Sequence, residues 1–335
     1  MINIGVIGYG YWGPNLVRNF SDTRGAQVVA VADLDEAKLA AVRKRYPAVE
    51  TCTDFRSVLK DPTIDAVAIA TPVHSHFELG MAVLAAGKHL WLEKPMTEHA
   101  DQARRLIDEA DKRRRVLIVD HTFIYTGAVR KMSEIIRSGE LGKLYYYDSI
   151  RINLGLFQRD VSVIADLAVH DFSVLDYLFE EKPVAVSASG TNHFPGTPEN
   201  LAYVTLFYAS GVIAHANVSW LAPVKVRQVF IGGSKKMIAY DDLEPSEKIK
   251  VYDKGVSFTD DPQQILQMRV GYRTGDMWAP KLAVTEALQI EGEHFVDCIE
   301  NDRTPETDGS LGLRVVELIE KASESMRCRG ETIDL

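Results

Sequence analysis

The chain opens on an apolar run, Ile2-Asn3-Ile4-Gly5-Val6-Ile7, that enters Gly8-Tyr9-Gly10-Tyr11-Trp12-Gly13, and this Gly-x-Gly-x-x-Gly turn constrains the fold more than any other segment. Each glycine answers a separate demand. Gly8 permits a tight turn, Gly10 lets the backbone approach a pyrophosphate, and Gly13 lets helix and strand pack closely. The helical pattern that follows, in Leu16, Val17 and Phe20, would offer the free N–H groups of its first turn to phosphates. Pro14 suits that turn, where its missing N–H costs nothing. A second apolar run, Gln27-Val28-Val29-Ala30-Val31-Ala32, ends in Asp33, about twenty residues beyond the glycines, where a ribose-binding acid is expected. An aspartate there accepts hydrogen bonds from the adenosine ribose and repels a 2′-phosphate, so the pattern predicts NAD in preference to NADP.

Strand-like and helical runs then alternate. Asp35 to Tyr46 reads as an Ala/Lys/Leu-rich helix, Asp54 to Leu59 as a short one, Ala66 to Ala70 as a buried strand and His76 to Ala86 as a helix. His89 to Leu92 is a strand, Thr97 to Arg113 a helix with Thr97 as its cap, and Val116 to Val119 a strand. This is the pattern of a doubly wound parallel sheet, in which ligands collect at the C-terminal ends of the strands. The residues just after each strand are therefore the candidates for the cofactor: Gly8, Gly10, Tyr11, Trp12 and Gly13, then Asp33, Thr71-Pro72 with His76, Glu93-Lys94, and His121 after Asp120.

Beyond about residue 122 the pattern changes to longer, alternating strands joined by Gly-containing turns: Tyr145 to Ile152, Val184 to Ala188, Ala202 to Tyr208, Val212 to Val218, Val226 to Ile231 and Lys248 to Tyr252. They predict one open, largely antiparallel sheet, with Gly232-Gly233-Ser234 as a hairpin turn. Helical segments interrupt it at Ala128 to Ser138 and Ile164 to Phe179, and two more close the chain at Glu286 to Glu300 and Leu311 to Met326. The expected fold is α/β: a Rossmann domain over 1–122 and an α/β domain over 123–335 for substrate binding and oligomerisation, whose C-terminal helices could pack back on the first.

Composition bounds the remainder. The 335 residues are 46% hydrophobic and 25% charged, ordinary for a globular chain of about two domains. A net charge of −9 argues against nucleic acid as a partner, and Lys112-Arg113-Arg114-Arg115 closes a helical pattern where cations favour the dipole. The N-terminus enters a strand without a signal peptide's basic and apolar regions, and no apolar run is long enough to span a bilayer, so a cytoplasmic protein without membrane partners is expected. Cys52, Cys298 and Cys328 are widely separated and form no C-x-x-C pair, which argues against a disulfide framework or a zinc site. His74 and His76 flank Ser75 but have no third ligand at useful spacing, so no metal is expected.

The glycine turn, Ala70-Thr71-Pro72 with His76, Glu93-Lys94-Pro95, Asp166-x-x-x-His170-Asp171 and Pro305-x-Thr307-Asp308-Gly309 together resemble the Gfo/Idh/MocA oxidoreductase family over essentially the whole chain. The resemblance implies a Rossmann domain followed by an α/β domain whose sheet carries the substrate and often serves in oligomerisation, here as a homodimer or homotetramer. It implies Lys94, Asp166 and His170 as catalytic positions and a cis peptide before Pro95. Asn153-Leu154-Gly155 followed by the Asp166 to Asp171 segment looks most like members acting on nucleotide-linked sugars, including those that oxidise C3 of a UDP-N-acetylhexosamine or reduce a 3-keto sugar. One departure stands out: where many relatives carry an arginine-containing segment after the last Rossmann strand, this chain has Asp120-His121-Thr122-Phe123-Ile124-Tyr125.

The chemistry such a chain would perform needs few groups. Moving a hydride between nicotinamide and a secondary hydroxyl requires a base for the hydroxyl proton and a donor on the forming carbonyl oxygen. His170 can be the base, and Asp166, four residues earlier on the same helical face, can orient it or bind a neighbouring hydroxyl. Lys94 can polarise the oxygen or share the proton. Alone, Asp166 reads as a cap or surface acid and His170 as a satisfied histidine; beside Lys94 and a cofactor site the catalytic reading is preferred. Arg151 and Asn153 fall on one strand face and are candidates to bind a sugar hydroxyl, carboxylate or phosphate, with a solvated strand face as the competing account. The expected substrate is a sugar or nucleotide sugar. The alternatives are a free sugar or inositol dehydrogenase, and an NAD-dependent glycosidase that oxidises C3 transiently. A non-catalytic NAD-sensing protein would be expected to lack Lys94 or His170.

Overall fold

The computed structural model describes residues 1–155, 161–258 and 270–335. The chain divides into two compact units, one of Met1–Thr126 with Thr285–Glu320 and one of Gly127–Val284 with Lys321–Leu335. Residues 285–320, from the closing helical segments, cluster with the first unit.

The first unit holds six parallel strands, β1 (Ile2–Ile7), β2 (Ala26–Ala32), β3 (Glu50–Cys52), β4 (Ala66–Ile69), β5 (His89–Glu93) and β6 (Leu117–Asp120), in the order β3-β2-β1-β4-β5-β6. Between them run α1 (Gly13–Asp22), α2 (Glu36–Arg45), α3 (Arg56–Lys60), α4 (His76–Ala85) and α5 (Ala100–Arg113). The strand order reverses between β1 and β4, which opens a crevice at the C-terminal ends of the strands. All four residues of β4 are buried, as a strand covered on both faces must be, which is why it reads as an uninterrupted apolar run. In α5 the buried residues Ala100, Ala103, Leu106 and Ala110 recur at helical spacing along one face.

Two details depart from the sequence reading. Thr97 does not cap α5: its hydroxyl donates to the His99 carbonyl, the helix starts at Ala100, and the Ala100 N–H is accepted by the Glu320 carboxylate. At three residues β3 is too short to carry an alternation signal, and it forms because Ala30, Val31 and Ala32 of β2 pair with it.

The second unit begins with α6 (Gly127–Arg137) and builds a nine-stranded sheet from β7 (Leu144–Leu154), β8 (Ala185–Thr191), β9 (Leu201–Phe207), β10 (Ile213–Ser219), β11 (Leu221–Gly233), β12 (Met237–Asp241), β13 (Ile249–Tyr252), β16 (Met277–Trp278) and β17 (Ile333–Asp334). A separate two-stranded antiparallel sheet pairs β14 (Gly255–Phe258) with β15 (Val270–Arg273). The large sheet runs β16-β13-β12-β11-β7-β10-β9-β8-β17, antiparallel throughout except for the β7–β10 pair. Gly232 pairs with Met237 across the β11–β12 hairpin, where the Gly-Gly-Ser turn is expected. Residues 164–179 are not one regular helix: a π-helical turn over Ile164–Ala168 precedes α7 (Val169–Leu178).

Two helices close the chain, α8 (Ala287–Asn301) and α9 (Gly309–Arg327). In the first unit's core Trp91 of β5 sits edge-on between Phe20 of α1 and Phe295 of α8, with ring centroids 5.0 and 5.5 Å away. Such pairs add about 0.5–1.5 kcal/mol each beyond area burial. They lock α8 beneath the sheet. Among the described residues no helix is long and apolar enough to cross a membrane.

Candidate active site

The glycine turn has the form its sequence demands. Gly8 adopts φ +97°, and a Cβ there would lie 2.6 Å from the Ala70 carbonyl oxygen; a Cβ on Gly13 would lie 2.3 Å from the Gly8 carbonyl oxygen. Both positions exclude any side chain. A Cβ on Gly10, in contrast, would meet nothing within 4 Å, so the backbone there faces open space. Asp33, at the end of β2, braces this turn: its Oδ2 accepts the Tyr9 N–H at 2.6 Å and its Oδ1 accepts the Asp35 N–H at 2.9 Å. Lys38 stands 3.4 Å from the same carboxylate. A carboxylate has about four acceptor sites, so this bracing is compatible with ribose hydroxyls. Tyr11 is exposed, and Trp12 is half-buried with its Nε1–H donating to Asp120 Oδ2 at 2.8 Å, which ties the turn to the end of β6.

The neighbouring strand ends are joined by His76. Its Nδ1 lies 3.0 Å from the Pro95 carbonyl oxygen and its Nε2 lies 2.8 Å from the Thr71 carbonyl oxygen. A neutral ring donates from one nitrogen only, and both neighbours are acceptors. Burial nevertheless pushes the imidazole's pKa down, the two carbonyls pulling the other way. At 1% exposure His76 is a tether between two loops and presents no surface to a ligand. His121 is likewise fully enclosed. Both are expected at the cofactor edge. The end of a parallel strand marks such an edge, but the side chain there can turn inward, as these two do.

Lys94 turns outward. From Leu90 to Thr97 it alone is not buried, and the peptide between it and Pro95 is cis. Its N–H donates to Glu93 Oε2 at 3.1 Å. Glu93 itself is buried against Asp120, its register partner on β6, and burial followed by the Asp120 charge holds its pKa well above the ordinary carboxylate range. Thr71 is half-buried and Pro72 exposed at the same sheet edge.

In the second unit the π-helical turn and α7 present one short polar stripe. From Val163 to Leu175 every residue is buried except Asp166 and His170. Local π geometry recurs at functional sites, where it re-aims side chains. The Trp220 indole N–H donates to Asp166 Oδ2 at 3.0 Å, and Trp220 packs so closely on Gly155 that a Cβ there would lie 2.5 Å from the ring. Arg151 does not serve as an open substrate group. It is 6% exposed and forms a two-pronged pair with Asp171, Nε to Oδ2 at 3.0 Å and Nη2 to Oδ1 at 3.3 Å. Alternation placed Arg151 and Asn153 on one face; that face is the one covered by α7, and Asn153, near the strand's end, is half-buried.

Sequence reasoning passed over Trp220 and Glu291; it placed Asp120 at a ligand edge and Asp171 in the later motif without the buried partners each one has. Only Glu291 carried a local signal, an acid in register with Leu288 and Phe295 on the buried face of α8. Among the described residues no group of three or more His, Cys, Asp or Glu side chains is arranged to hold a metal.

A dinucleotide fits the first unit. The open backbone at Gly10, the start of α1 beside it and the carboxylate of Asp33 supply, in order, room for a pyrophosphate, N–H donors and a ribose acceptor. Comparison with known proteins agrees. Residues 2–121 match the Gfo/Idh/MocA profile described as "Oxidoreductase family, NAD-binding Rossmann fold", and residues 129–239 match the C-terminal domain of the same family. D-apiose dehydrogenase of Paraburkholderia graminis is 23% identical, over 98% of this chain and 88% of its own length. The scyllo-inositol 2-dehydrogenase (NAD(+)) of Bacillus subtilis is 24% identical, over 94% of this chain and 90% of its own. The structure of UDP-N-acetylglucosamine 3-dehydrogenase from Acidithiobacillus ferrooxidans superposes with a TM-score of 0.82 at 24% identity, covering 98% of both chains, and so shares the fold.

Proposed function

The chain belongs to the Gfo/Idh/MocA oxidoreductase family, a dehydrogenase type that binds NAD and acts on sugars or polyols, and from that premise we propose that it oxidises or reduces C3 of a nucleotide-linked sugar with Lys94, His170 and Asp166 as its catalytic residues. The observation that carries the catalytic assignment is selective exposure. In two otherwise buried stretches, Leu90 to Thr97 and Val163 to Leu175, the residues that are only half-buried are Lys94 in one and Asp166 and His170 in the other. An acid, an imidazole and an ammonium are costly to organise on apolar elements without a use.

Bound NAD supplies the hydride acceptor at its nicotinamide. The chain's own groups do the rest. Gly10 and the start of α1 would hold the pyrophosphate, and Asp33 would hold the adenosine ribose. Lys94 polarises the reacting oxygen, and His170 takes the hydroxyl proton while Asp166, itself fixed by Trp220, orients the ring or binds an adjacent hydroxyl. In the reducing direction the same groups return the proton.

The nucleotide-sugar reading is supported by the resemblance of Asn153-Leu154-Gly155 and the Asp166 to Asp171 segment to members of that type, and by the shared fold with the UDP-N-acetylglucosamine enzyme. The relatives that act on D-apiose and scyllo-inositol favour a second reading, a free sugar or polyol dehydrogenase. The two are separated by thermal shift with NAD present. A UDP- or dTDP-sugar should raise Tm more than its free sugar or an inositol. Product analysis of the best stabiliser then locates the oxidised carbon, and release of an aglycone without net NADH would point to a glycosidase. A homodimer or homotetramer is proposed for the working enzyme, to be read from its mass in solution.

A further inference from the structure

Behind the glycine turn lies a carboxyl cluster that the reaction does not use. Asp120, Glu93 and Glu291 are 2%, 8% and 0% exposed. Asp120 already accepts two donors, the Trp12 indole N–H at Oδ2 and the Thr122 hydroxyl at Oδ1. Glu291 reaches in from α8 with both oxygens buried, and the hydroxyl beside them is that of Thr122. The groups that face it are Asp120 on β6, Thr122 on the turn after β6 and Glu93 on β5, and Lys94 faces Glu93 in turn. The single hydroxyl proton of Thr122 is spent on Asp120. Carboxyls facing each other in such a space bond only by sharing a proton, since an ionised carboxylate has no donor of its own.

We propose that Glu291 is a positioning residue for the cofactor cradle: it stands as a neutral acid that donates to Asp120, the carboxylate that holds Trp12 and, through it, the glycine turn. This rests on NAD binding in that cradle. Burial, and then the charge of Asp120, keeps the Glu291 pKa well above the usual carboxylate range, which agrees with the geometry. The sign follows. A group whose pKa is raised on folding lends stability below its unfolded value, and that stability is lost as pH rises through the folded value. Ionisation of Glu291 releases its proton to solvent, places a second negative charge against Asp120, and loosens the Trp12 clamp.

The test is NAD affinity by calorimetry across neutral to alkaline pH for the wild type, Glu291→Gln and Trp12→Phe. The wild type should lose affinity as pH rises. Glu291→Gln, whose amide keeps a donor and cannot ionise, should remove that fall, and Trp12→Phe should bind more weakly at every pH with the fall also removed. An identical alkaline fall in wild type and Glu291→Gln overturns the proposal. Infrared spectroscopy of Glu93→Gln without NAD, which leaves Glu291 as the raised carboxyl of the cluster, gives a reading that survives an unstable Glu291 variant: a buried carboxylic-acid carbonyl band at neutral pH that disappears on alkalinisation is expected, and its absence overturns the proposal. If that band is present and NAD fails to bind at any pH, the cofactor reading fails and the carboxyl assignment stands.

Discussion

Asp33 Oδ2 accepts the Tyr9 N–H at 2.6 Å, so the residue proposed to hold the cofactor's ribose also shapes the turn proposed to receive its phosphates. Asp33→Ala should therefore weaken NAD more than loss of a ribose contact alone. A hydrogen bond to a charged group contributes about 1.5–3 kcal/mol, or roughly a 10- to 100-fold change in Kd. Titration of NAD against the variant checks this, and discrimination against NADP should fall in parallel.

The Arg151–Asp171 pair gives a stability prediction that separates structure from substrate binding. Removing one partner leaves a buried charge uncompensated, so Arg151→Ala or Asp171→Ala should cost about 3–5 kcal/mol in chemical denaturation. Replacing both with apolar residues of similar volume, Arg151→Met with Asp171→Leu, should recover most of that loss. Were Arg151 a substrate ligand, the singles would instead leave stability unchanged and raise KM.

This pair also shows what a sequence does and does not disclose. The parallel sheet was legible because strands covered on both faces must be apolar along their length, as β4 and β5 are. The glycine turn and Asp33 were legible because their spacing answers a fixed geometric demand. Alternation put Arg151 on a face without saying which element covers it, and its partner Asp171 was read as part of a catalytic motif. Glu291 and Asp120 meet across about 170 positions of chain, and no local pattern announces such a meeting. His76 and His121 likewise sit at ligand edges by position and are buried by side-chain direction.

His89 supplies an acid-side prediction. Its Nδ1 accepts the Val116 N–H at 2.9 Å, which requires the neutral ring. Burial, and then the nearby Arg115, lowers its pKa from 6.5 to about 4. The folded state then binds fewer protons than the unfolded one between those values. The stability from His89 is complete above the unfolded value and is lost as pH falls from 6.5 towards 4. Allowing for solvent on its open side, the loss should be about 2 kcal/mol. Stability measured against pH should show this slope, and His89→Gln should flatten it.

The central claim is tested most directly by single-turnover kinetics beside NAD binding for Lys94→Ala and His170→Ala, using the sugar that best stabilises the wild type. Loss of general acid–base catalysis typically costs 10²–10⁴-fold, so each variant should bind NAD as the wild type does while hydride transfer falls by about that factor. A variant lacking both side chains that still forms NADH at near the wild-type rate would contradict the account.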